Sequence, residues 1–115
     1  MRKKNYKGRC EKQSLSKCET VCKTYDAVQT AYAKKLQADK GIVSFRCNVF
    51  LEGLTEGEYT SDFVCIKEDG ETMVRECIFR KNLVRTKTAE LLDKSRQYWL
   101  KHGIKDWGLV IDAEE

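Results

Sequence analysis

Apolar residues at Val21, Tyr25, Val28, Tyr32 and Leu36 recur at intervals of 4, 3, 4 and 4. That is the period of one helical face. Ser16 followed by Glu19 has the form of a capping box ahead of the stripe. Asp26 offers a cap for a second segment if the helix breaks near residues 24–26. Lys40-Gly41 is the expected stop. From Ile42 to Leu51 the pattern changes to alternation, with Val43, Phe45, Cys47 and Val49 on one face, and predicts a strand. Residues 52–58 carry Gly53 and Gly57 and read as a loop. Thr60 to Ile66 and Thr72 to Phe79 read as two further strands. Glu68-Asp69-Gly70 forms the tight turn between them, because Asp-Gly supplies the positive backbone angle such turns need.

A second helix is expected after Thr86 or Thr88, either of which would cap it. Glu90 falls in its first turn and Lys101 and His102 in its last, as the helix dipole prefers. Gly103 ends it. Trp107 to Ile111 is a short apolar run without alternation, which suggests a strand covered on both faces. The order is helix, three antiparallel strands, helix, strand: a small mixed α/β sheet with helices packed on it. A helical crossover into the last strand should be right-handed.

With 115 residues the chain is one domain, long enough to bury a core without disulfides. Within it, residues 1–24 read as a basic, cysteine-bearing extension and residues 25–115 as the α/β body. The balance of 22 basic against 18 acidic residues gives a net charge of +4, which permits an anionic partner without requiring one. The excess is concentrated at Arg2, Lys3, Lys4, Lys7 and Arg9, a candidate contact for nucleic acid or an acidic protein and equally a solubilising tail. No run approaches the roughly 18 apolar residues of a membrane span, and no apolar region follows the basic start. A cytoplasmic protein is therefore expected, with its six cysteines as thiols or metal ligands rather than disulfides.

Cys10, Cys18 and Cys22 are separated by 7 and 3 intervening residues, with Cys18 and Cys22 on one face if the segment is helical. Cys47 is the best fourth ligand for a tetrahedral structural zinc, with His102 next. Free thiols are the alternative. Cys65 and Cys77 read as small core residues. His102, Tyr98, Trp99 and Trp107 read as a helix cap and core aromatics. No nucleophile triad, phosphate loop or dinucleotide fingerprint is present.

The remaining chemistry is a pair of acids. Asp62 and Glu76 lie on the two strands of the expected hairpin, which can bring them to the same side near one end of the sheet. Two close carboxylates form a site for Mg²⁺, which takes oxygen ligands and can activate a bound water. A lysine two residues beyond the glutamate normally completes such a site, and here that position is Ile78. On spacing alone, any hairpin with acids at its ends looks alike, with Asp62 at a strand entry and Glu76 on an exposed face.

Longer words add a resemblance. Tyr59-Thr60-Ser61-Asp62-Phe63, Val74-Arg75-Glu76-Cys77, Arg96-Gln97-Tyr98-Trp99 and Gly103 to Trp107 fall in order at sensible spacing. Over residues 25–111 the chain resembles the TnsA-type endonuclease subunit of heteromeric transposases. The resemblance implies a reduced restriction-endonuclease-like core of the PD-(D/E)xK kind and Mg²⁺-dependent DNA cleavage. Asp62 and Glu76 fall on the family's metal positions. Ile78 replaces its lysine, and Gln29 stands near its helical glutamate. Arg80 or Lys94 could stand in for the missing lysine.

The expectation is a non-catalytic binding protein of a phage or mobile element on a degenerate nuclease fold, with a host nucleic-acid-processing protein or DNA as partner. An inhibitor of a CRISPR effector nuclease (an anti-CRISPR) is its narrower form. The alternatives are a Mg²⁺-dependent endonuclease and a DNA-binding accessory subunit.

Overall fold

The computed structural model describes residues 10–51 and 59–111. The basic arm (Arg2, Lys3, Lys4, Lys7, Arg9) and the 52–58 loop lie outside the described residues. The elements are β1 (Glu11–Gln13), β2 (Cys22–Thr24), α1 (Ala27–Ala38), β3 (Ile42–Phe50), β4 (Thr60–Lys67), β5 (Thr72–Ile78), a one-turn 3-10 helix (Arg80–Asn82), α2 (Thr86–Lys101) and β6 (Asp106–Ile111). β1 and β2 form a small antiparallel pair, and the main sheet has the order β3-β4-β5-β6. The first three strands of that sheet are antiparallel, and β6 runs parallel to β5. The mixed α/β architecture is the one the hydrophobic pattern predicts.

The first helix is shorter than its stripe. Asp26 is its cap, accepting the Gln29 N–H at 2.8 Å. The Ser16–Glu19 pair therefore caps nothing, and Val21 and Tyr25 lie outside the helix. Residues 10–24 instead turn back on themselves, with Gln13 opposite Cys22 and Glu11 opposite Thr24. β-Branched Thr20, Val21 and Thr24 favour extended backbone. The segment also finds partners on the edge of β3: Phe45 N–H donates to Lys17 O at 2.9 Å, and Asn48 Nδ2 to Lys23 O at 2.9 Å. Edge pairing satisfies backbone groups that an isolated short helix would leave to water.

The sheet carries a core on each face. On one, α1 and the β1–β2 segment cover Phe45, Phe63, Cys65, Met73 and Cys77, together with Cys18, Cys22, Val28 and Leu36. Phe63 meets Tyr32 and Phe45 edge-on, with centroids at 5.6 and 6.0 Å. On the other, α2 lays Trp99 over Val64, Val74, Leu51 and Tyr59. Cys65 and Cys77 are buried core residues, as expected.

The alternation read in β3 is broken. An irregularity between Ile42 and Ser44 places Val43 outward, 56% exposed, instead of beside Phe45. Asn48 takes the left-handed region at φ 56°, and beyond it Val49 packs against the second core. The turn after β4 closes with Gly70 N–H on Lys67 O at 2.9 Å, and Gly70 has the positive φ of 88° that its Asp-Gly dipeptide foretold.

α2 begins after Arg85 with no side-chain cap, so neither Thr86 nor Thr88 plays that part, and Glu90 falls outside its first turn. At the other end the His102 ring donates from Nδ1 to Tyr98 O at 2.8 Å and stacks on the Tyr98 ring, and Gly103 at φ 82° ends the helix. β6 is an edge strand of intermediate burial with Leu109 exposed, not a strand covered on both faces.

Its start is held by charge. Asp106 pairs with Lys67 of β4 and Arg75 of β5, both at 2.8 Å. The Lys67 hydrogen bond, opposed in part by burial and helped by Arg75, holds the Asp106 carboxyl below its usual range. A carboxyl lowered by folding stabilises above its unfolded pKa and loses that contribution as pH falls through the folded value. Asp106→Asn should therefore unfold at a lower temperature than the parent at pH 7, with the two curves merging by about pH 2. Thermal unfolding across pH checks this; a constant difference at all pH values would place the effect elsewhere.

Candidate functional site

The pairing of β4 with β5 runs from Ile66↔Thr72 to Phe63↔Arg75 and then stops. Side chains take over from there. The Asp62 N–H donates to Glu76 Oε1 at 3.0 Å, and the Cys77 N–H donates to Asp62 Oδ2 at 2.7 Å. Two carboxylates thus stand where ladder partners would be. Both are buried, at 1% exposure for Asp62 and 0% for Glu76. Glu76 is therefore no exposed strand residue.

Each remaining oxygen also meets a donor. Gln29 Nε2 donates to Asp62 Oδ1 at 3.1 Å, while Gln29 Oε1 accepts the Tyr25 N–H at 2.7 Å. Ser95 Oγ donates to Glu76 Oε2 at 2.6 Å. The acids meet at one end of the sheet as the spacing suggested, but they do not share a face. Asp62 reaches α1 and Glu76 reaches α2, on opposite sides of the sheet. Strand alternation holds only while the ladder does, and here the ladder has ended.

The network continues under α2. Ser95 Oγ accepts from Trp107 Nε1 at 3.1 Å and lies 3.4 Å from Ser61 Oγ, which accepts from Trp99 Nε1 at 2.9 Å. Two of the pattern's core aromatics thus use their polar edges to hold the serines. Ser61 and Ser95 escape a reading of acids and cysteines. One signal was available: Leu92, Ser95 and Trp99 form the buried stripe of α2, and a polar residue within such a stripe needs a partner.

Ile78, at the lysine position, is half-buried and lines a cleft of about 300 Å³ with Gln29, Cys77, Asn82, Arg85 and Lys87. Gln29 and Cys77 belong to the wall of this cleft, and both donate to Asp62. Arg80 opens the 3-10 turn and Lys94 is on α2, both at exposed positions.

A second cluster lies at the β1–β2 segment. The sulfur atoms of Cys18, Cys22 and Cys47 all lie within 4.8 Å of one another, close enough to bind a metal ion. They come from a turn bridged to Phe45, from β2 and from β3, not from one helical face. Cys47 accepts a hydrogen bond from Cys22, which holds its thiol down to about 6 against the effect of burial. The same bond pushes Cys22 up, and burial raises Cys18. Three sulfur atoms this close make an electron-rich pocket suited to a soft cation. Cys10 does not join the group, nor does His102, which is engaged with Tyr98 at the end of α2. Cys65, by contrast, is pushed up to about 12 by burial and belongs to the core.

Among the described residues no helix is long and apolar enough to cross a membrane. Comparison of the chain with protein-family models and with curated proteins finds no match.

Proposed function

We propose that this chain is a non-catalytic binding protein built on a nuclease-derived scaffold. One observation carries the reading: all four carboxylate oxygens of Asp62 and Glu76 accept hydrogen bonds from protein donors, and both side chains are buried. Mg²⁺ requires oxygen ligands in near-octahedral array and retains several waters. Carboxylates spent on Gln29, Cys77, Ser95 and the Asp62 backbone leave little for such an ion. Gln29 supports the same reading. Its amide gives Asp62 a neutral donor where a glutamate would add a third negative charge, so the acids are stabilised without a cation. Ile78 offers no group to orient a water. In this reading the acids staple α1 and α2 to the sheet, and what the scaffold retains is its shape and surface.

The partner we infer is a nucleic-acid-processing protein or its DNA, in keeping with the TnsA-type resemblance and with exposed Arg80, Lys81, Arg85 and Lys87 beside the cleft. Inhibition of a CRISPR effector nuclease is the narrower form. We also infer that the Cys18, Cys22 and Cys47 group holds zinc as a structural ion, because thiolate-rich sites select it and it needs no redox partner.

Plasmid DNA incubated with the purified chain and Mg²⁺ or Mn²⁺ should remain supercoiled. Nicking by the parent that disappears in Asp62→Ala would overturn the non-catalytic reading. Capture from host extract with and without nuclease treatment then identifies the partner. A protein retained after the DNA is removed supports the inhibitor, and binding to bare DNA that weakens steeply with salt supports the accessory subunit.

A further inference from the structure

We propose that metal binding recruits Cys10 as a fourth ligand, completing a four-thiolate site with Cys18, Cys22 and Cys47. The proposal rests on the zinc reading above and concerns how that site closes.

Three observations lead to it. First, the sulfur atoms of Cys18, Cys22 and Cys47 have already converged, and main-chain N–H groups are directed at two of them, from Thr20 to Cys18 and from Lys23 to Cys47. Main-chain donors of this kind stabilise thiolate charge and orient a ligand for its metal. Second, among the described residues no other His, Cys, Asp or Glu lies within that group, so three sulfurs leave a tetrahedral ion one position short. Third, Cys10 stands at the end of the strand that pairs with β2. The β1–β2 ladder begins at Glu11↔Thr24, so Cys10 lies just outside the paired register and is half-exposed. It lines a cleft with Thr24 and Tyr25, while Cys47 lines a neighbouring cleft that also includes Tyr25.

Alternation from Lys12 would point Cys10 toward the outer face of the hairpin, away from Cys22. Cys10 is not among the β1–β2 register pairs of the described residues, so turning it inward breaks none of them. The chemistry needs no electron transfer. Zn²⁺ takes four thiolate electron pairs, and the thiol protons leave to solvent. The ion would then bind the first strand to β3 through sulfur as well as through the backbone.

The test uses the full, reduced chain under anaerobic conditions with Co²⁺ as the spectroscopic probe. The expected result is one Co²⁺ per chain, tetrahedral ligand-field bands and a sulfur-to-cobalt charge-transfer intensity corresponding to four thiolates, with Zn²⁺ displacing the ion. Cys10→Ser should lower that intensity by about a quarter and weaken Co²⁺ binding by at least about tenfold. Because the parent spectrum counts thiolates without any variant, poor folding of Cys10→Ser does not blunt the test. A three-thiolate spectrum unchanged by Cys10→Ser would overturn the recruitment of Cys10 and leave the zinc reading standing. Failure of the reduced parent to bind Co²⁺ or Zn²⁺ at all would overturn both.

Discussion

Ser95→Ala should destabilise the fold by about 2–4 kcal/mol, although it removes a single oxygen atom. Ser95 is fully buried, and its hydroxyl donates to Glu76 at 2.6 Å while accepting from the Trp107 indole at 3.1 Å. A hydrogen bond to a charged group contributes about 1.5–3 kcal/mol, and a buried donor left without its acceptor costs a further 1–3. The cavity term is small, since alanine fills nearly the same space. Ser16→Ala is the natural control. Its hydroxyl accepts from Gln37 in an exposed position, and its loss should change stability by less than about 0.5 kcal/mol. Denaturant unfolding of the two variants measures the contrast. A Ser95→Ala loss as small as that of Ser16→Ala would mean that Glu76 is not held from α2, and the non-catalytic reading would lose its main support.

Trp99→Ala should cost about 3–5 kcal/mol, a large part of the 5–15 that a domain of this kind possesses. The buried residues of α2 are Leu92, Ser95 and Trp99, and Trp99 has the largest side chain of the three. Trp99 packs against Val64, Val74, Leu51 and Tyr59, and its Nε1 donates to Ser61. Truncation removes the ring, opens a cavity and leaves the Ser61 hydroxyl only its 3.4 Å contact with Ser95. Because α2 is the crossover between β5 and β6, loosening it should also weaken the β5–β6 pairing. Hydrogen exchange would show this as faster exchange in 106–111 than in 60–67. Trp99→Phe separates the two contributions, since it keeps most of the packing and loses the hydrogen bond. It should fall about midway between the parent and Trp99→Ala.

Most of the fold was legible in the chain. The hairpin at Asp69-Gly70 and the helix end at Gly103 follow from local chemistry, because each needs a positive φ that glycine supplies freely. The strands β4 and β5 were visible on either side of the Asp-Gly turn, and the helix α2 from the signals at its ends. The misreadings share one cause. Residues 16–25 carry a helical spacing, yet that stretch pairs with the edge of β3, a partner distant in sequence. Thr86 and Thr88 look like caps, but the backbone enters α2 at Arg85. Val43 follows the alternation of Phe45, and an irregular register reverses it. In each case a local preference worth a fraction of a kcal/mol yields to pairing and burial.

The candidate site divides in the same way. Asp62, Glu76, Gln29, Ile78 and the cysteines could all be singled out from residue type and spacing, because ionisable and metal-binding groups are rare enough to stand out along a chain. Their relations could not. The end of the β4–β5 ladder, the opposite directions taken by the two acids, the serines that receive the indoles and the convergence of Cys18, Cys22 and Cys47 all join residues from separate elements. The sequence by itself determined which chemical groups are present and, from residue 26 onward, the α/β order of the elements that carry them, since both follow from residue identity and local pattern. Only the tertiary structure decided that the acids are satisfied by protein donors and that three thiols meet, because hydrogen bonds and metal geometry depend on distances of a few ångströms between segments that the chain order leaves unrelated.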